Sequence, residues 1–247
     1  MINEFEFNTF LYCSKLTKLN GSIYNNDPSQ NLIYKSLKDL NLKILKSQVK
    51  DLNKDFIKIV KSNLKLYYPE LKSIDDVQYI LNWCVDLYNK FFNLFPVQTY
   101  TPLAINFEPL HNLKDFSLRY MVHIVMFENG LKPKIHLLNF YPFTDEHLKQ
   151  NDFLCSSKIK YFKEIYSNIH PKLSVKVHYL AVSPASFRNK SQRNYLFKHF
   201  SNGRIRKIDA LKLNEAIKYY NFQKTKYIPV PFCKDYSCMK RKECQNG

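Results

Sequence analysis

Glycine is scarce, at four residues in 247. No P-loop or dinucleotide fingerprint can be assembled from so few, which argues against folds built on glycine-rich phosphate loops. Long apolar runs are missing too: nothing approaches the ~18 residues that a membrane span requires. The opening MINEFEFNTF lacks the charged-then-apolar pattern of a signal peptide, so the expectation is an intracellular protein with no membrane partner. Acid is in short supply, with 21 Asp and Glu against 38 Lys and Arg and a net charge of +17. A surplus of that size repels itself unless a polyanion such as DNA or RNA takes it up. Lysine, Asn, Tyr, Ile and Phe abundance also fits an AT-rich genome, such as that of a virus or mobile element, but that bias raises acids as readily as lysine. The chain is otherwise well supplied for folding: 45% hydrophobic and 15% aromatic residues build a core rather than a disordered tail.

Along the chain, the text from Asp27 to Lys65 reads helical, with Leu32, Ile33, Leu37, Leu40 and Ile44 near helical spacing and Pro28 as a start. A second helix is expected from Ser73 to Leu94, its Ile80, Leu81, Trp83, Leu87 and Phe91 facing a core. Pro96 and Pro102 then mark a change to strand-like text: LAINFEPL, FSLRYMVHIVMF, a turn at Glu128-Asn129-Gly130, and KIHLLNFYPF. Asn-Gly between two alternating apolar runs predicts a hairpin. Helical text returns at 145–169, SVKVHYLAV at 174–182 alternates as a strand, and helices are expected at 190–201 and 208–221 with basic GRIRK between. In the second of these, Leu211, Leu213, Ala216, Ile217 and Tyr220 are expected to point inward. The order implies one mixed α/β domain over 1–247: a helical part at 27–95, a core at 96–222 and a cysteine-bearing tail at 223–247.

Six cysteines, unevenly spaced, do not make a secreted disulfide framework, and in a reducing compartment such a cluster is more often a metal site. Cys233, Cys238 and Cys244 sit close together among Lys234, Lys240, Arg241 and Lys242, which favour the thiolate form. A fourth ligand is needed to close a structural site, and Cys13, after the apolar segment Phe7 to Tyr12, is the best candidate for it. Cys84 and Cys155 lie in apolar text and read as core.

This arrangement resembles the iron–sulfur branch of the RecB-like PD-(D/E)XK nucleases, which includes AddB, the CRISPR-adaptation nucleases and the flap-processing helicase–nucleases. In that branch one cysteine precedes the fold and three follow it as Cys-x2-Cys-x5-Cys. Cys13 precedes the expected fold here, and Cys238 and Cys244 keep the five-residue gap. The chain departs at Ser14, where the family has proline, and in the four-residue gap between Cys233 and Cys238. The resemblance implies a restriction-endonuclease-like core, a mixed central sheet flanked by helices, closed by a cysteine clasp. It also implies a [4Fe–4S] cluster on Cys13, Cys233, Cys238 and Cys244, with zinc left open by the longer gap.

The family's chemistry needs an acid on one hairpin strand, then Glu or Asp, one residue and Lys on the next, to hold Mg²⁺ and position water. In family order His123 falls at the first acid, Asn139 at the second and Tyr141 at the lysine. Without two anionic ligands a hard ion is not usefully held, so the resemblance implies a degenerate nuclease. Glu108, the nearest acid, reads as a solvated strand residue. His111, His123 and His136 raise a different metal site, with His123 and His136 as possible cross-strand neighbours, or are simply sheet residues.

Nucleic-acid contact is expected at Arg188, Lys190, Arg193, Lys198, Arg204, Arg206 and Lys207, where Tyr195, His199 and Phe200 are interleaved, and again at Lys224, Lys226 and Tyr227. The lysines of 35–65 read as ordinary helix surface. The leading expectation is a catalytically degenerate, nucleic-acid-binding subunit of a DNA- or RNA-processing complex. The rivals are an active metal-dependent DNA exonuclease using Glu108, Asp115 or Glu128, and a zinc-stabilised protein-interaction module.

Overall fold

The structure is a computed structural model that describes residues 1–12, 27–113, 116–141, 152–166, 172–187 and 197–225. The chain begins with a short strand β1 (Ile2–Asn3) and helix α1 (Glu4–Tyr12). Helices α2 (Pro28–Leu45), α3 (Leu52–Tyr67) and α4 (Ile74–Leu94) follow. The expected single helix over 27–65 is therefore two, separated where Ser47 adopts a left-handed φ of 54°. Each start is set by a side chain: Asp27 and Gln30 form a capping box on α2, Asp51 caps α3 and Ser73 caps α4.

Strands β2 (Tyr100–Phe107), β3 (Leu110–Leu113), β4 (Phe116–Arg119), β5 (Val122–Glu128) and β6 (Lys134–Tyr141) come next, then α5 (Asp152–Tyr166), β7 (Ser174–Val182), β8 (Phe197–Asn202) and α6 (Lys207–Thr225). The main sheet runs β2-β5-β6-β7-β8, and a smaller one runs β1-β4-β3. Strands β5 and β6 are antiparallel, while β6 and β7 are parallel, so α5 lies within a crossover connection. The fold is a mixed α/β sheet flanked by helices.

Side chains from the two faces of the sheet enter two cores. Ile124, Met126, Leu138, Phe140, Leu180 and Val182 pack against α2, α3 and α4. Val125, Ile135, Leu137, Tyr141, Val177 and Tyr179 pack against α1, α5, α6 and the small sheet. The helices of 27–95 are thus a layer on the sheet. Cys84 and Cys155 are fully buried, one in each core.

Three local expectations are corrected. The run FSLRYMVHIVMF splits at Tyr120 and Met121 into β4 and β5, which belong to different sheets. Both backbone groups of Met121 are taken by side chains: its N–H donates to Glu4 Oε2 at 3.1 Å and its carbonyl accepts from Lys158 Nζ at 3.0 Å. A ladder cannot continue through a residue whose donor and acceptor are both occupied. The hairpin expected at Asn129-Gly130 is present as the antiparallel β5–β6 pair, with a longer connection than those two residues. Glu128 pairs with Lys134, leaving residues 129–133 as the loop, and Asn129 N–H donates to Thr99 O at 3.2 Å. Finally, 197–202 is strand β8 on β7 rather than helix, and Leu211 on α6 is exposed while Leu213 and Ile217 are buried.

Candidate functional site

The positions at which the resemblance calls for catalytic acids gather at one end of the sheet, where Phe5 packs on both His123 and Tyr141 with ring centroids 5.9 and 5.3 Å apart. The β5–β6 ladder stops at Ile124 opposite Leu138. Beyond it, the His123 ring takes over as acceptor for the Phe140 N–H at 3.1 Å. His123 Nδ1 is therefore unprotonated and the ring proton sits on Nε2. Burial, helped by Lys38 and then Lys158, depresses the His123 pKa to about 3, so the ring is neutral at pH 7.

Asn139 turns toward α5. Its amide donates to Leu137 O at 3.3 Å and His178 O at 3.2 Å, and its Oδ1 accepts from Lys158 Nζ at 3.2 Å. Lys158 and Glu4 are both fully buried and pair at 2.5 Å. A lysine ammonium is thus fixed on the amide at the position where the resemblance calls for a metal-binding acid, and Glu4, the carboxylate there among the described residues, is already neutralised by it. This donor set does not fit Mg²⁺, which needs anionic oxygens free of a competing cation. Tyr141 is buried against Tyr179 at 4.7 Å.

Of the acids named for an active nuclease, Glu108 and Glu128 are not brought together. Glu108 follows β2 at the Val122 end of β5 and approaches Arg119 at 3.9 Å. Glu128 ends β5 at its opposite end, paired with Lys134 and His136. Asp115 lies outside the described residues.

The histidine expectation is half right. His136 sits opposite Met126, not His123, and His111 instead stacks on Tyr161 at 4.5 Å. His136 is partnered by Glu128 on β5 and by His178 on β7, and His178 is in turn partnered by His199 on β8, a file that sequence spacing could not reveal. Glu128 Oε2 and His136 Nε2 are 2.7 Å apart, His136 Nδ1 and His178 Nε2 2.8 Å, and His178 Nδ1 and His199 Nε2 2.8 Å. A carboxylate only accepts, so His136 donates to Glu128, His178 to His136 and His199 to His178, all as neutral Nε2–H tautomers. The rings stack in file, with centroids 5.0 and 5.1 Å apart, rather than converging on a point. Among the described residues no group of three or more His, Cys, Asp or Glu could hold a metal ion.

Of the expected nucleic-acid contacts, Arg188, Lys190 and Arg193 lie outside the described residues, as do Lys226 and Tyr227. Arg204 and Lys207 are exposed beside β8 and at the start of α6. The Arg206 guanidinium is clamped on Asp209, with Nε and Nη2 each 2.9 Å from a carboxylate oxygen. Its planar fork is thereby spent inside the protein, leaving Arg204 and Lys207 as the freer charges of that stretch.

Cys13, Cys233, Cys238 and Cys244 all lie outside the described residues. Four thiolates are the donor set that an iron–sulfur cluster or zinc takes, so the chemistry of these residues fits the implied group. Helix α1 ends at Tyr12, and its Phe10 packs on Tyr219 and Tyr220 of α6 with centroids 5.5 and 4.8 Å apart. The two helices that lead toward the cysteines therefore lie side by side.

No family model matches the chain, and no curated protein matches it. Among solved structures, one described as "Crystal structure of SSO0001" is 12% identical, aligns over 82% of this chain and 97% of that one, and gives a TM-score of 0.24. A likeness that loose says nothing of function. Among the described residues no helix is long and apolar enough to cross a membrane.

Proposed function

We propose that this protein is a catalytically degenerate, iron–sulfur nuclease-like protein that binds nucleic acid as an accessory or structural subunit of a DNA- or RNA-processing complex. The observation that carries the reading is Lys158 Nζ on Asn139 Oδ1, with Glu4 Oε2 2.5 Å away. A cation side chain stands where cleavage would require a metal ion between two acids. The order β5, β6, α5, β7 is compatible with the strand, hairpin, helix and strand of the nuclease core. The net charge of +17 supplies the affinity for phosphate, and the contact of α1 with α6 is compatible with Cys13 meeting Cys233, Cys238 and Cys244.

Binding to fluorescent single-stranded DNA, measured across a salt series with Mg²⁺ or Mn²⁺ present, tests the function. The expected result is affinity that falls steeply with salt and an uncut strand. Metal-dependent cleavage that is lost in Glu108→Ala would establish the active-exonuclease alternative instead. Protein purified without oxygen should be brown and contain iron and sulfide. A colourless protein containing zinc would replace the cluster with a zinc site.

A further inference from the structure

We propose that the cavity beneath α2, walled by Lys35, Lys38, Asn106 and His123, is a binding subsite for a phosphate group. The proposal deepens the nucleic-acid reading and rests on it only for where the phosphate comes from.

The cavity holds about 220 Å³. That is several times the ~30 Å³ of a liquid water, yet below the ~300 Å³ at which pockets for larger ligands begin. It suits one compact polar group. Its walls are rich in donors. Lys38 is half-buried and has no hydrogen bond or ion pair among the described residues, which is costly for an ammonium. Burial lowers its pKa, Lys35 adds to the effect and Asp39 opposes it.

Asp39 also lines the cavity, but its carboxylate is already engaged. Lys35 Nζ donates to Oδ1 at 3.1 Å, and Asn63 Nδ2 donates to Oδ2 at 2.9 Å. Lys35 and Asp39 offset each other, so the uncompensated charge is that of Lys38. His123 adds a donor without an acceptor, because its Nδ1 is occupied by Phe140 N–H and its Nε2 bears the proton.

Asn106 supplies an independent sign. It falls across from His123, between the pairs Ile105–Ile124 and Phe107–Val122, and holds a left-handed φ of 52°. Non-glycine residues enter that region at a cost, asparagine more readily than most, and such strained positions cluster at ligand-binding and active sites. Asn106 with this turned backbone is part of the cavity wall. The site thus has the opposite polarity to a metal-binding nuclease centre: it is built to receive an anion.

Isothermal titration of inorganic phosphate into the full chain tests this, comparing wild type with Lys38→Met, Lys38→Arg and the exposed-charge control Lys65→Met. Matching denaturation midpoints establish that each variant is folded. The expected result is binding weakened at least tenfold in Lys38→Met and retained in the other two. Equal binding in Lys38→Met overturns the proposal, and so does the absence of phosphate binding in wild type. Single-stranded oligonucleotide then identifies the source. Displacement of bound phosphate assigns the subsite to nucleic-acid phosphate, and phosphate binding without displacement assigns it to a free phosphate. Oligonucleotide binding that is unchanged in Lys38→Met, with no phosphate bound, removes the subsite but leaves the nucleic-acid reading standing.

Discussion

Lys158 and Glu4 are tolerable in the interior only together. Each is fully buried, and Lys158 spends its remaining donors on Met121 O and Asn139 Oδ1. Removing one partner leaves an uncompensated buried charge, which costs about 3–5 kcal/mol. Removing both leaves two polar cavities but no orphan charge. We therefore expect Lys158→Met to lose about 3–5 kcal/mol of unfolding free energy, and Glu4→Gln/Lys158→Met to lose less than the sum of the two single changes. A double-mutant cycle by urea denaturation measures the coupling. Additive losses would mean that the pair contributes nothing specific. The same residues explain why the site was only partly legible. His123, Asn139 and Tyr141 could be placed on adjacent strands by counting along the hairpin. Lys158 and Glu4 could not, because Glu4 reaches the site from 117 residues before Met121, Lys158 reaches it from a helix beyond the hairpin, and neither lies in a local pattern.

Helix α2 is tied to the sheet through its first turns. Gln30 Oε1 accepts from Asp27 N–H at 2.9 Å in the capping box, while Gln30 Nε2 donates to Val182 O at 2.6 Å. Tyr34 OH donates to Tyr141 O at 2.6 Å and accepts from Val182 N–H at 3.1 Å, its ring stacked on Phe140. These bonds bridge the ends of β6 and β7 where the sheet has run out of ladder partners. Gln30→Ala removes half of the capping box and strands the buried Val182 carbonyl, so it should cost about 1.5–4 kcal/mol. The loss should appear as a lower denaturant midpoint at constant slope, and a change below ~0.5 kcal/mol would refute the bridging role. Elements whose signals are local were readable in advance: α2 and α4 begin at the Asp27 and Ser73 caps, and β7 shows clean alternation. Strand β8 was not, because its Lys198, His199 and Phe200 carry little period of their own and become strand by pairing with β7. The break between β4 and β5 was hidden for the same reason, since its cause is the distant Glu4–Lys158 pair.

Across the whole molecule, acid acts through the neutral histidines before it reaches the carboxylates. Burial first, and then His136, His199 and Lys176, depress His178 to about 2, and burial leads the depression of His123 to about 3. His136 and His199 are also lowered, burial being the main cause for each. In the unfolded chain these rings return toward about 6.5. Between that value and the depressed folded values the unfolded state therefore binds more protons than the folded one, and stability rises with pH. Read in the acid direction, stability is full above about pH 6.5 and is lost progressively as pH falls toward the folded pKa values. Each ring contributes a slope of at most about 1.4 kcal/mol per pH unit. Lowered carboxylates such as Glu128 and Asp209 add their loss only nearer pH 4. The net charge of +17 works in the same direction, because every proton gained adds repulsion to a chain already strongly positive. A variant isolates the contribution of His178. His178→Phe should lower stability at pH 7.5, since it breaks the file at its centre, yet it should flatten the slope between pH 6.5 and 5. Chemical denaturation at a series of pH values reads both quantities, and an unchanged slope in His178→Phe would remove His178 as a source of the acid sensitivity.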